Sequence, residues 1–207
     1  MKPRRLPIFP LQSVLFPHGV LPLQVFEPRF LEMMNELLEG DGRFGSVLIE
    51  RGAEVGGGDH RFNAGTVAKV VRVGTLEGGR LAVVAVGIRR FRVTTWLPED
   101  PYPNALVTDL SEPSTTEQLP VRVQQARRAY RRTLALATEL GSRVGDIDPE
   151  LPDSPVAAAW QLCDAAPLEQ LDRQELLETD DPDARLLRLL ILLGERADLL
   201  EARLSAG

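Results

Sequence analysis

The stretch Leu6–Phe30, LPIFPLQSVLFPHGVLPLQVFEPRF, decides how the rest of the chain is read. It is strongly apolar and holds five prolines, Pro7, Pro10, Pro17, Pro22 and Pro28. An interior proline removes a backbone donor and clashes with the preceding turn, so no long helix runs here. The same breaks exclude a membrane span, which needs an unbroken apolar run. What remains is a pair of short strands, about Arg5–Phe9 and Leu21–Val25, joined by a loop at Phe16-Pro17-His18-Gly19. A helix then starts just after Phe26. A chain that opens on buried, proline-punctuated strands is building a β-rich domain.

Outward from this stretch the apolar period changes. Phe30, Leu31, Met34, Leu37 and Leu38 fall at helical spacing, with Pro28 suited to the first turn and Gly40 and Gly42 at the end. Strands are expected over 44–50, 66–73, 80–97 and 105–110, the third broken at Gly87 by a bulge or bend before it continues from Ile88, with a turn at Glu77-Gly78-Gly79 and a glycine-rich loop over 52–60. Strict alternation along 88–97 puts Phe91, Val93, Thr95 and Leu97 on one face. Arg90, Arg92, Thr94 and Trp96 then share the other. After Ser111 the pattern turns helical. Helices are expected over 116–140, 155–165, 168–177 and from Asp181-Pro182 almost to the C-terminus; an aspartate before a first-turn proline is a strong start. The expected fold is α+β: a β module of six strands with one inserted helix over residues 1–112, then a bundle of four helices over 113–207.

Composition narrows the function. The chain has 207 residues and a net charge of −6, divided unevenly: 13 basic and 9 acidic side chains over 1–98, 11 and 21 over 99–207. An acidic total disfavours a general nucleic-acid binder. No run is apolar enough for a membrane helix, and the basic N-terminus is followed by prolines rather than by the core of a signal peptide, so a cytoplasmic location is expected. The single cysteine, Cys163, allows no internal disulfide.

Catalytic patterns are sparse. There is no phosphate-binding loop of the Gly-x-x-x-x-Gly-Lys-Ser/Thr kind, and Gly56-Gly57-Gly58 precedes a strand rather than a helix. The two histidines, His18 and His60, lie in separate loops and offer no convergent metal set. No Gly-x-Ser-x-Gly elbow occurs, and Cys163 sits in a helix pattern that suits a buried small residue. No metal or other cofactor is expected, and no enzyme activity.

The opening stretch resembles the start of the N-terminal, substrate-binding domain of Lon-type ATP-dependent proteases, and especially the bacterial proteins made of that domain alone. Phe44–Ile49, Gly65–Val70 and Gly87–Val93 resemble further strands of that family, in order. Ala166-Pro167-Leu168, Arg173–Glu178, Asp181-Pro182 and Arg185-Leu186-Leu187 resemble its helical signature, with Arg173 where lysine is usual. The resemblance implies a PUA-like β pseudo-barrel followed by a helical bundle. It also implies a non-catalytic module that recognises unfolded or extended polypeptide, without the ATPase and Ser–Lys peptidase modules that follow this domain in full Lon proteases.

Apolar side chains in loops, flanked by arginines, suit contact with extended polypeptide. The candidates are Phe16, His18 and Val20 in the first loop, Phe26 and Arg29 with Phe30 at the helix start, and Arg90, Arg92 and Trp96 on one strand face. Phe26 and Phe30 fit a core better than an exposed site, and Arg90 with Arg92 a solvated outer face. Phe16-Pro17-His18-Gly19 is the favoured exposed loop. The expected partners are polypeptide and a separate protease or chaperone, with no membrane and no nucleic acid, and the expected state is a monomer or weak homodimer. Two alternatives stay open: a cryptic hydrolase using His18 or His60 with a loop serine, and a PUA-like RNA-binding protein.

Overall fold

A computed structural model describes residues 2–52, 54, 60–112 and 115–206. The glycine-rich run that includes Gly56-Gly57-Gly58 and Asp59 lies outside them. The chain forms two compact units, Met1–Ser111 and Glu112–Gly207.

The first unit contains β1 (Arg4–Leu11), β2 (Val20–Val25), α1 (Pro28–Glu39), β3 (Arg43–Arg51), β4 (His60–Thr75), β5 (Leu81–Trp96) and β6 (Asn104–Asp109). The strands form one sheet in the order β2-β5-β4-β3-β1-β6, and β5 also pairs with β6, so five strands close into a pseudo-barrel. β1 and β3 run parallel; the other pairs are antiparallel. β2 sits at the end of the order and pairs only with β5. Pro22 is tolerated there because an edge strand has one row of donors that no neighbour needs.

β1 explains why its sequence is almost wholly apolar. Alternate residues serve two cores. Leu6 and Ile8 join Val47, Val67, Phe91 and Val107 inside the barrel. Phe9 and Leu11 join Phe30, Met33, Met34, Leu37 and Phe44 beneath α1. The Phe9 and Phe30 rings stack with centroids 4.2 Å apart, tying the helix start to β1.

β5 follows the expected run over 80–97, with the bulge expected at Gly87 falling beside it. It is one continuous strand with two bulges. Val67 opposes Arg89 but Ala68 opposes Gly87, so Ile88 is the extra residue; Val93 opposes Val107 but Thr95 opposes Leu106, so Thr94 is another. A one-residue bulge moves later side chains to the other face. Trp96 therefore packs against the barrel core with Phe91 and Val93. The expected shared face of Arg90, Arg92 and Trp96 does not exist.

The second unit contains α2 (Leu119–Glu139), α3 (Pro155–Ala165), α4 (Gln170–Glu178) and α5 (Pro182–Ala206). α2 ends where Gly141 takes a left-handed φ of 75°, with Ser142 N–H donating to Ala137 O at 3.0 Å. α5 begins where the Asp181 carboxylate accepts from Asp183 and Ala184 N–H at 2.8 and 3.0 Å. α5 buries Leu186, Leu189, Leu193, Ala197 and Leu200. None of the helices described is long and apolar enough to cross a membrane.

Candidate functional site

The loop after β1 folds inward. Leu15 O accepts from the buried Thr66 hydroxyl at 2.5 Å, His18 N–H donates to Gly87 O at 2.8 Å, and Gly87 N–H donates to Gly19 O at 2.9 Å. A Cβ on Gly87 would lie 2.1 Å from Phe16 O, so only glycine admits the loop at this distance. Phe16 is 0% exposed. The expectation of an exposed Phe16 fails because its carbonyl is held against β5 and its ring is drawn into the interior. His18, at φ 67°, and Val20 remain exposed at the tip leading into β2.

β2 leads from this tip to a concave site. Its Leu21–Val25, the following Phe26 and Glu27, Phe9 and Leu11 of β1, and Phe30 of α1 line a cleft of about 240 Å³. β1 pairs with β3 through Ile8–Leu11 and with β6 only through Arg4–Pro7. The cleft thus lies between the unpaired edge of β2 and the far end of β1. Apolar side chains share its wall with Ser13 and Gln24, and among the described residues the charged lining residues are Glu27 and Glu54. Phe26 stands on this wall 53% exposed, although its type suits a core. The reason is local: Val25 ends the strand inward and Phe30 fills the core from the helix, leaving Phe26 at the corner between them.

Beside the cleft, charges join two of the expected residues. The Arg29 guanidinium donates to Glu27 at 3.2 Å, lies 3.5 Å from Glu99 and sits 4.6 Å from the Phe30 centroid. Glu99 also pairs with Arg61, whose guanidinium lies 5.2 Å from the Trp96 ring centroid. The Trp96 indole N–H donates to Asn63 at 3.0 Å. Arg29 and Trp96 are therefore brought together through Glu99 and Arg61. Arg92 is exposed on β5. Arg90 is 2% exposed and interior, which corrects its placement on a solvated face.

Sequence reasoning missed the edge of β2, and with it Leu23 and Gln24. The signal was present: a proline inside a strand pattern marks an edge. It also missed Asn63, Arg61 and Glu99, which depend on the bulge at Thr94 and carry no local pattern.

Among the described residues no three His, Cys, Asp or Glu side chains are grouped to hold a metal. Burial pushes the Cys163 thiol up to about 12, far from the range of a reactive thiolate. Burial, then the hydrogen bond to Glu36, likewise raises the Tyr102 phenol to about 12.

A pseudo-barrel with an open edge strand and a trailing four-helix unit defines the class of protein. A model of the ATP-dependent protease La (LON) substrate-binding domain matches residues 5–195, and the chain belongs to that family. It is 30% identical over 204 residues to Lon protease 2 of Sorangium cellulosum, covering 95% of this chain and 25% of that protein. It is 30% identical over 209 residues to Lon protease 2 of Herpetosiphon aurantiacus, covering 95% and 24%. The chain thus spans about a quarter of the length of the curated relatives it matches. A solved Lon N-terminal domain protein from Xanthomonas campestris superposes with a TM-score of 0.65 at 26% identity, covering 91% of this chain and 98% of that one. The N-terminal domain of the Mycobacterium avium complex Lon protease gives 0.67 at 21%, covering 92% and 98%, and supports the fold alone. The α+β pseudo-barrel and bundle expected from the sequence are the observed fold.

Proposed function

We propose that the protein binds extended, apolar polypeptide without catalysing its cleavage, through the cleft beside β2. The observation that carries this reading is Phe26, a large aromatic side chain more than half exposed on the wall of a cleft bounded by an unpaired strand edge. An extended segment could add to that edge with its main chain while alternate side chains enter the cleft. With Glu27 and Glu54 as its charged lining among the described residues, the cleft favours apolar segments that are neutral or basic. Arg29, Trp96, His18 and Val20 would flank the bound segment; Arg92, which pairs with Ala64 and Thr108 on the barrel, would not, and Phe16 and Arg90, being buried, would shape the unit without touching the ligand. Membership in a substrate-binding family supports the same reading. The working setting we infer is the cytoplasm, as a monomer or weak homodimer that passes polypeptide to a separate protease or chaperone. No observation favours the hydrolase or RNA alternatives.

The test uses reduced, carboxymethylated α-lactalbumin, a permanently unfolded polypeptide, with fluorescence anisotropy as the readout. The wild-type chain should bind it saturably and leave it intact on a gel. Phe26→Ala should weaken binding about tenfold, as expected for a central aromatic anchor. Cleavage of the polypeptide, or equal binding by the variant, would overturn the proposal.

A further inference from the structure

The helical unit carries a second concavity with a different character. A cleft of about 410 Å³ lies against α2, the loop that follows it and α5. Its floor is apolar, with Leu134, Ala137 and Leu200, and Arg143, Arg196 and Arg203 stand around it. Arg196 and Arg203 are seven residues apart on α5, so they share a face about 10.5 Å apart along the axis.

The state of these arginines is unusual for their surroundings. Residues 112–207 contain 11 arginines and 18 acidic side chains. Seven of those arginines are ion-paired: Arg122, Arg127, Arg131, Arg132, Arg173, Arg185 and Arg188. Three of the other four line this one cleft, and among the described residues none of the three has an ion-pair partner. The local sequence explains it. The helical neighbours of Arg196 at three and four residues are Leu192, Leu193, Leu199 and Leu200, and those of Arg203 on its N-terminal side are Leu199 and Leu200. α5 therefore offers neither of them an i,i+4 carboxylate. In a unit with excess negative charge, three exposed guanidinium groups over an apolar floor form a local positive field with solvent-facing donors.

We propose that this cleft is a binding site for an acidic polypeptide segment that carries an apolar side chain. The apolar side chain would rest on Leu134, Ala137 and Leu200. Its neighbouring carboxylates would take charge-assisted hydrogen bonds from Arg143, Arg196 and Arg203. The charge preference is opposite to that of the cleft beside β2, so the two sites select different segments.

The probe is a fluorescein-labelled 12-residue peptide of alternating Glu and Leu, titrated into the full chain by anisotropy. Saturable binding that weakens as salt rises is expected. The double variant R196Q/R203Q should weaken it about tenfold or more, because two charge-assisted donors are lost. The double variant R72Q/R128Q removes equal charge elsewhere and should leave it unchanged, as should F26A. Circular dichroism should show all three variants folded. Equal binding by R196Q/R203Q, equal loss in R72Q/R128Q, or loss in F26A would overturn the proposal. So would tighter binding of a 12-nucleotide single-stranded RNA than of the peptide. Binding of this peptide can fail while unfolded α-lactalbumin still binds at Phe26, so the two readings stand or fall separately.

Discussion

Arg185 is a fully buried charge in the leucine stripe of α5, and replacing it with alanine should strongly destabilise the helical unit. Its guanidinium carbon lies 3.5 Å from the Trp160 ring centroid. Nη2 donates to Glu112 at 2.9 Å, to Thr179 O at 2.8 Å and to Asp180 O at 3.3 Å. A desolvated cation–π contact is worth about 2 kcal/mol, and a hydrogen bond involving a charged group about 1.5–3 kcal/mol. These do not add, because burying the guanidinium cost desolvation first. The cost of truncation is set by what stays behind: a cavity against Trp160, two carbonyls that lose the guanidinium donor, and a Glu112 carboxylate that loses this ion pair. Breaking a buried pair in this way costs about 3–5 kcal/mol. That is a large part of the roughly 5–15 kcal/mol by which a domain is stable.

The assay is urea unfolding followed by far-UV circular dichroism. Arg185→Lys should fall between wild type and Arg185→Ala, since lysine keeps the charge but has neither the planar face nor the fork. Arg188→Ala is the internal control. Arg188 lies on the same helix and pairs with Glu175 through two 2.9 Å hydrogen bonds, but at the surface. An exposed pair is worth about 0.2–1 kcal/mol. A loss below about 1 kcal/mol for Arg185→Ala, within the range of surface changes, would refute the reasoning.

Further outcomes follow from other sites. Gly87→Ala should destabilise the first unit by about 1–3 kcal/mol, because the added methyl meets Phe16 O and must displace the loop; thermal unfolding beside wild type checks it. Cys163 should resist Ellman's reagent in the native protein and react fully in urea, and rapid native labelling would show the thiol is not buried. Stability should also respond to pH at both ends. Burial pushes the Asp109 carboxyl up, but hydrogen bonds and charges from Arg4 and Arg89 outweigh it and hold the carboxyl below its usual range. Its contribution is complete above the unfolded value of about 3.9 and is lost as pH falls through the lower folded value, so Asp109→Asn should flatten the acid limb. At the alkaline end the raised Cys163 and Tyr102 should make stability fall as pH climbs from about 8.5 toward 12, and Cys163→Ala should delay that fall.

The elements that were legible in the sequence are those whose ends carry a residue with one physical meaning. Pro28 opens α1, Gly141 closes α2 and Asp181-Pro182 opens α5, and each does so in the structure. What was not legible depends on single-residue slips and long-range contacts. The bulge at Thr94 inverts the faces of β5 beyond it, so Trp96 joins the barrel core rather than Arg92. Phe16 and Phe26 are the same residue type in similar proline-bearing surroundings. Only the distant Gly87 and Phe30 decide that the first is buried and the second exposed. Arg185 was visible only as part of a family signature, since nothing local marks an arginine in a leucine stripe as interior. The candidate site was thus half visible: its residues near Phe26 and Arg29 were named, while the strand edge beside them was overlooked.

Amide hydrogen exchange of the full chain, with and without saturating unfolded α-lactalbumin, tests the polypeptide-binding account most directly. Edge addition predicts that the polypeptide slows exchange across residues 20–26, while exchange on the second unit's α3 and α4 stays as it was. Binding that leaves residues 20–26 unprotected would contradict the account.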